Sequence, residues 1–417
     1  MITKLNTVKV TIINTHDIVG GAERNSFDLF QLLSSKHFVR LIVGAKLSKQ
    51  DRVIPVRYFP FENFLFRYFR KKLGLTEIFY LTPFRKKILK YIINSDIIHI
   101  HNIHGRYWSL ISIPIYSYFK KIIITLHDEF LLTGDCAYSK SCNKWIYSCG
   151  NCPQINHAEI DRYPATGRDN TRMNLLIKKF LFFISKKSNI VITAPSEMLY
   201  KKAKISYLGN MRLFRFVYGV NTDQWFGSVA LSVQKKYLNS ISKYVVFIAN
   251  NVSEQRKGFK NLLHNHSLFQ ENKLELLVVG RCDQLSINFD DFPCFHFLGS
   301  LSCKTEIRSL ITSAQCTLIP SIADNFPFVG LESLACGVPI LTTNDCGIKD
   351  VLISKAQGMA IPLYAFKNGG FINKLLQIIE ELEQNPNIRI KNAELIKKNY
   401  SYGSMEEDFL RICNSFR

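Results

Sequence analysis

Asp324 and Glu332 stand eight positions apart in "SIADNFPFVGLESLACGVPIL", Ser321 to Leu341, around a short apolar run. Locally, Pro327 has the fixed φ suited to a first helical position, Gly337 suits the residue just past a helix end, and Pro339 forbids continuation. One short helix follows, flanked by the buried strands "CTLIP" (316–320) and "VPILTT" (338–343). The loop before such a helix lies at the carboxyl edge of a parallel sheet, where ligands of open α/β folds bind. Asp324 falls in that loop. Glu332, about a turn and a half into the helix on the face of Phe328, can look toward the same ligand, which also meets the free N–H groups of the helix start at Phe328 and Val329. The plainer alternative has Asp324 capping the helix and Glu332 solvated.

Four further groups could do chemistry. Gly20 and Gly21, in "NTHDIVGGAERNSFDLF", let backbone N–H groups approach a phosphate closely at a helix start, although a tight turn would use the same pair. His127 and Asp128 end the apolar run "KIIITLHD", and a neutral histidine there can donate a hydrogen bond to a sugar hydroxyl. Arg256 and Lys257, followed by Gly258, suit a diphosphate, with Arg able to make bidentate contact and Lys acting as a point charge. Cys136, Cys142, Cys149 and Cys152 share one loop, and two readings stay open for them: a structural zinc stapling a long loop, or free thiols. His99 and His101 in "HIHNIHG" resemble a metal pair, but no acid or cysteine is placed to complete it, so a structural role is expected.

These groups need a scaffold. Apolar β-rich runs at 8–14, 39–44, 96–102, 121–128 and 189–196 alternate with helix-length amphipathic segments, and the second half repeats the rhythm at 244–250, 274–280, 316–320, 338–343 and 359–363. The expected fold class is α/β, two Rossmann-like domains, with an N-terminal domain over 1–225, a C-terminal domain over 226–395 and a helical segment over 396–417. A chain of 417 residues with 47% hydrophobic and 21% charged residues is of the soluble globular kind, and no run is apolar enough to cross a bilayer. A cytoplasmic location is expected. The net charge of +21 calls for an anionic partner. Arg67, Arg70, Lys71, Lys72, Arg85, Lys86, Lys87 and Lys90 lie among Phe, Tyr and Leu, a pattern that suits an anionic membrane surface, with nucleic acid as the competing reading.

In this order, a Gly-Gly loop, a strand-end His, an R-K-G in the second domain and an acid-x7-acid element running into "ESLACGVPIL" resemble the retaining family-4 glycosyltransferases of the GT-B fold. "TLHDEFLLTGDCAYSKSCNKWIYSCGNCPQ", "YPATGRDNT" and "DNFP" look like the branch that builds colanic acid and O-antigen. The resemblance implies two parallel sheets facing across a cleft. It also implies transfer of a hexosyl or deoxyhexosyl unit from a nucleoside-diphosphate sugar to a lipid-linked saccharide, peripheral to the inner face of the cytoplasmic membrane. By the same analogy Glu332 holds the nucleotide ribose, Asp324 the donor sugar, and His127 orients that sugar. Gly20, Gly21, Arg256, Lys257, Phe328 and Val329 hold the phosphates, with no catalytic metal and no nucleic-acid partner expected. The pattern departs from the family in two places: the first acid is Asp where Glu is commoner, and "IANN" stands where many members carry an Arg. The same fold also serves sugar-nucleotide epimerases and phosphorylases, the rival enzyme classes.

Overall fold

The computed structural model describes residues 7–56, 60–155, 168–225, 233, 236–237, 241, 243–282 and 287–416. The first five residues of the "YPATGRDNT" motif and the side chains of Arg67 and Lys71 lie outside that description.

Seven strands form the first sheet: β1 (Lys9–His16), β2 (Phe38–Ala45), β3 (Val53–Pro55), β4 (Ile97–Ile100), β5 (Lys121–Thr125), β6 (Ile190–Ala194) and β7 (Arg212–Arg215). They run in the order β3-β2-β1-β4-β5-β6-β7, with every pairing parallel. Six more form the second: β8 (Tyr244–Asn251), β9 (Glu275–Arg281), β10 (Phe295–Gly299), β11 (Thr317–Ile319), β12 (Ile340–Thr343) and β13 (Gly358–Ile361), in the parallel order β10-β9-β8-β11-β12-β13. Central strands such as β4, β6 and β11 are buried at every residue, as a parallel sheet covered by helices on both faces requires. That explains why Ile, Val and Leu dominate them.

In each sheet the strand order reverses once, between β1 and β4 and between β8 and β11. At such a switch point the loops leaving two neighbouring strands diverge to opposite faces and open a crevice at the carboxyl edge. Gly20 follows β1, and the "HIHNIHG" residues end and follow β4. Arg256 and Lys257 follow β8, and Asp324 follows β11. The topology thus puts the chemistry-bearing residues at the two positions where an open sheet binds ligands.

The chain makes two compact units, Met1–Tyr218 with Met405–Arg417, and Gly219–Ser404. The first break falls seven residues before the expected 225/226 because the next few residues already pack in the second unit: Val220 N–H donates to Tyr400 O at 2.9 Å, and Cys336 Sγ donates to Trp225 O at 3.2 Å. The last helix, Tyr402–Asn414, returns to the first unit. Its Met405, Phe409 and Ile412 are buried, Phe409 lies 5.6 Å from the His99 ring, and Asp408 Oδ2 accepts the Val217 N–H at 2.8 Å.

That helix closes the first core beneath β4. Phe409→Ala is expected to cost about 3–5 kcal/mol through the cavity it leaves. Hydrogen exchange followed by mass spectrometry should then show lost protection in β4 and β5 and none in β8, β9 and β11.

Candidate active site

In the second unit the chain leaving β8 turns through Gln255–Lys257 to Gly258, whose φ of +76° is a left-handed conformation. A Cβ there would lie 1.9 Å from Pro320 O, so glycine is needed for this turn to press against the end of β11. The close approach delivers two cations to Asp324. Lys257 Nζ is 2.5 Å and Arg256 Nη1 is 3.2 Å from the same carboxylate oxygen, Oδ2. Arg256 also donates Nε and Nη2 to Glu254 Oε1 at 3.0 and 2.9 Å, and Nη1 to Ala323 O at 3.1 Å. Asp324 is held from behind, its own carbonyl accepting the Gly347 N–H at 2.8 Å. Burial pushes its carboxyl pKa up, but the charges and hydrogen bonds of Lys257 and Arg256 outweigh that and hold it below the usual carboxylate range.

Asp324 is therefore an ion-paired residue and not a helix cap. The helix Phe328–Ala335 starts one residue after Pro327, which is its N-cap and makes no side-chain cap bond. Ser333 Oγ donates to Thr317 Oγ1 at 2.8 Å and stitches that helix to β11. Glu332 is 5% exposed, so it is not the solvated side chain of the plainer reading. Phe328 is buried at the helix start and Val329 half-buried beside it. Asn250 and Asn251 of "IANN" end β8, where Asn251 Oδ1 accepts the Ser253 N–H at 3.0 Å and shapes the turn toward Arg256.

In the first unit Gly20, at φ +101°, precedes the helix Gly21–Leu33, and both glycines lie on an exposed tip. A Cβ on Gly20 would meet Glu23 Oε2 at 2.3 Å, so the glycine makes room for a carboxylate of the first helical turn. Glu23 Oε1 accepts from Asn102 Nδ2 at 3.2 Å. Burial raises the Glu23 pKa against the pull of Asn102 and His104. His127 lies between two buried partners: Nε2 is 2.8 Å from His101 Nδ1, and Nδ1 is 2.6 Å from Tyr218 Oη. Burial is the main cause that drives its pKa down to about 3, so the ring is neutral at pH 7. With both nitrogens engaged, a sugar hydroxyl would have to take the place of one of them. The neighbouring Asp128 pairs with a different histidine. His104 Nε2 is 2.6 Å from Asp128 Oδ2, and although burial works against the imidazolium, Asp128, Glu77 and Glu23 raise its pKa. Glu77 faces the same strand end, accepting N–H bonds from Gly105 and Arg106, and burial lifts its carboxyl to about 7. His99 is a core residue, its Nε2 2.7 Å from Thr125 Oγ1.

The four loop cysteines surround one small cavity of about 10 Å³, together with Lys144, Trp145 and Pro153. All four are free thiols, and among the described residues no three His, Cys, Asp or Glu side chains stand close enough together to hold a metal ion. The residues that sequence reasoning passed over are Glu254, Glu23, Asn102, Tyr218 and the His104–Asp128 pairing. Only Glu254 and Glu23 had a local signal, each a carboxylate two positions from a singled-out residue.

Residues 232–399 match the family "Glycosyl transferases group 1". Among curated proteins, the chain is 21% identical over 266 residues to the putative colanic acid biosynthesis glycosyl transferase WcaC of Escherichia coli K12 (61% of this chain, 62% of that protein). It is 22% identical over 201 residues to the N,N'-diacetylbacillosaminyl-diphospho-undecaprenol alpha-1,3-N-acetylgalactosaminyltransferase of Campylobacter jejuni (46% and 52%). The matches thus span less than two thirds of either relative's length. Among solved structures, Anabaena HepE in complex with UDP superposes with a TM-score of 0.65 at 14% identity, covering 98% of this chain and 100% of that one. The lipopolysaccharide-biosynthesis glycosyltransferase WaaG superposes with a TM-score of 0.58 at 13% identity, covering 97% and 99%. The fold is therefore GT-B.

The Asp324 cluster has a pH signature. A carboxyl whose folded pKa lies below its unfolded value of 3.8 contributes stability that is complete above that pH and is lost as the pH falls through the folded pKa. Asp324→Asn, which leaves two largely buried cations short of their shared partner, is expected to cost about 3–5 kcal/mol at pH 7. The penalty should shrink below about pH 4. Urea unfolding of wild type and variant at pH 7 and pH 3 measures both.

Proposed function

We propose that this chain, which carries a group 1 glycosyl transferase domain over residues 232–399, moves a hexosyl or deoxyhexosyl unit from a nucleoside-diphosphate donor to a lipid-linked saccharide. The setting is assembly of a surface polysaccharide of the O-antigen, capsule or colanic-acid kind, with the anomeric configuration retained. The observation that carries this reading is the pair of cations sharing Asp324 Oδ2 at the switch point between β8 and β11. The names of the two curated relatives, a colanic-acid enzyme and a transferase named for an undecaprenol-linked acceptor, support the substrate classes.

On this reading the diphosphate replaces Asp324 as partner of Arg256 and Lys257, because a phosphate offers several charged oxygens where Asp324 offers one. The N–H groups at Phe328 and Val329 add the positive end of a helix. Asp324, released from the cations, turns to the sugar, and Glu332 takes the ribose hydroxyls. As the bond from the anomeric carbon to the diphosphate breaks, negative charge grows on the leaving oxygen, where the two fixed cations stabilise it most. The acceptor hydroxyl forms its bond on the face that the diphosphate leaves, and its proton passes to the departing phosphate. No second carboxylate is needed as a covalent nucleophile.

A lipid-linked acceptor implies a membrane, and no described helix is long and apolar enough to cross one. The stretch 60–93 suits docking less fully than its composition implies, since Arg85 pairs with the buried Glu62 and is no rim charge. Lys86, Lys87 and Lys90 remain exposed there. A second surface adds apolar anchors. The helix Thr171–Phe183 turns Met173, Leu176, Phe180 (59% exposed) and Phe183 (74%) to solvent on one stripe, with Ile184, Lys186 and Lys187 at its end. Tyr118 and Phe119 are exposed on the neighbouring helix end, with Tyr118 Oη bonded to Ile184 O at 3.1 Å. Exposed aromatics rimmed by lysine are what an anionic lipid surface binds.

Two measurements test these assignments. Glu332→Gln should leave the fold intact and weaken binding of the nucleotide sugar that stabilises wild type by about 1.5–3 kcal/mol, read by calorimetry; unchanged affinity removes the assignment. For docking, replacing Phe180 and Phe183 with serine should release the chain from anionic vesicles in sedimentation at physiological salt. Reversing Lys86, Lys87 and Lys90 to Glu should weaken the same binding by about 1 kcal/mol per residue engaged.

A further inference from the structure

The chain from Leu126 to Pro153, leaving β5, carries no strand, and its one regular piece is the helical turn Lys144–Ile146. Connections this long inside a compact domain are uncommon unless something holds them. The loop holds itself in an unusual way. Cys149, Gly150 and Asn151 all take left-handed φ values, of 52°, 92° and 44°, and two of the three are L-residues that disfavour this region. The bend they make lets the thiols on both sides of "CGNC" face one cavity, which Cys136 and Cys142 also line. At about 10 Å³, it has room for one small sphere.

A backbone donor and a buried cation lie beside the Cys149 end of the cluster. The Gly134 N–H donates to Cys149 Sγ at 3.3 Å. The carbonyl of the same Gly134 accepts from Lys178 Nζ at 3.4 Å, and that ammonium, 1% exposed, also donates to Phe130 O at 2.6 Å and Thr133 O at 3.0 Å. A buried cation pinned by carbonyl dipoles, one peptide away from a thiol cluster, gains from an anionic centre beside it.

We infer that Cys136, Cys142, Cys149 and Cys152 hold one zinc ion as four thiolates in the cavity they line. Four sulfur donors and no oxygen or nitrogen ligand select a thiophilic tetrahedral metal over magnesium or calcium. Binding releases one proton from each thiol to solvent and forms four Zn–S bonds, leaving a centre of charge −2 that Lys178 partly offsets. The four residues line the cavity without yet forming a ligand group among the described residues, so binding requires Cys142, Cys149 and Cys152, half-buried on the loop, to turn their thiols inward. The ion staples the loop that begins at His127 and Asp128, so its role is to fix the floor of that strand end and not to act on substrate.

The test uses the full chain purified under reducing conditions. Elemental analysis should give about one zinc per chain. Exchange for Co(II) should produce the intense visible and thiolate-to-metal absorption of a tetrahedral sulfur site. Cys142→Ser and Cys149→Ser should each lower metal content several-fold, while Cys303→Ser, exposed in the other unit, should leave it unchanged. Should the cysteine variants fail to fold, wild-type protein titrated with a mercurial should release its zinc after the loop thiols react. Protein that stays metal-free after anaerobic reduction and zinc addition, or that holds Cys136 and Cys152 in a disulfide, overturns the proposal.

Discussion

One carboxylate oxygen organises the second unit. Asp324 Oδ2 receives Lys257 and Arg256 together, and every local feature around it serves that meeting. Gly258 lets the turn after β8 close against Pro320, Glu254 orients the guanidinium, and Gly347 holds the Asp324 backbone from the next loop. Burying two cations near one another is costly without a shared anion. The carboxylate both makes the arrangement stable and leaves it able to respond to a ligand with more negative charge. A site that keeps its cations in place before the ligand arrives loses little in reorganising, which is where electrostatic catalysis draws its strength.

The first unit solves a different problem. Its strand ends gather His101, His127, Tyr218, His104, Asp128, Glu77 and Glu23, and their environments push neighbouring groups apart in protonation. His127 is held neutral by burial, while the pKa of His104, at the end of the preceding strand and bonded to Asp128, is raised. Such divergence between adjacent titratable groups is characteristic of functional sites, though ion-pair networks in a core produce it too. The contacts of the histidine run are internal ones: His99 turns to Thr125 and Phe409, and His101 turns to His127.

The basic excess is likewise divided by structure. Some of the positive charge is consumed internally, as with Arg85 on Glu62 and Lys178 on three carbonyls, and so contributes nothing to a surface field. Part of what remains outside lies near exposed aromatic residues, on the stretch 60–93 and at the end of the helix Thr171–Phe183. Composition alone gives the total and not this division.

The sequence by itself determined the α/β class, the central strands and the short helix between β11 and β12, because parallel strands buried on both faces need unbroken apolar runs and helix ends need glycine and proline at fixed offsets. It missed β3, β7 and β10. These are edge strands or short ones, half-exposed along much of their length, so no apolar run marks them. It picked out Asp324, Arg256 and Lys257 individually, but not that they share one oxygen, since 67 residues separate the lysine from the acid and only the sheet order brings β8 beside β11. The return of the helix Tyr402–Asn414 to the first unit was equally illegible: its amphipathic face is evident in sequence, but which core it covers depends on the gap that the other elements leave. Local chemistry is written in residue types and spacing; the choice of partner across long stretches of chain is made only when burial and strand order are settled together.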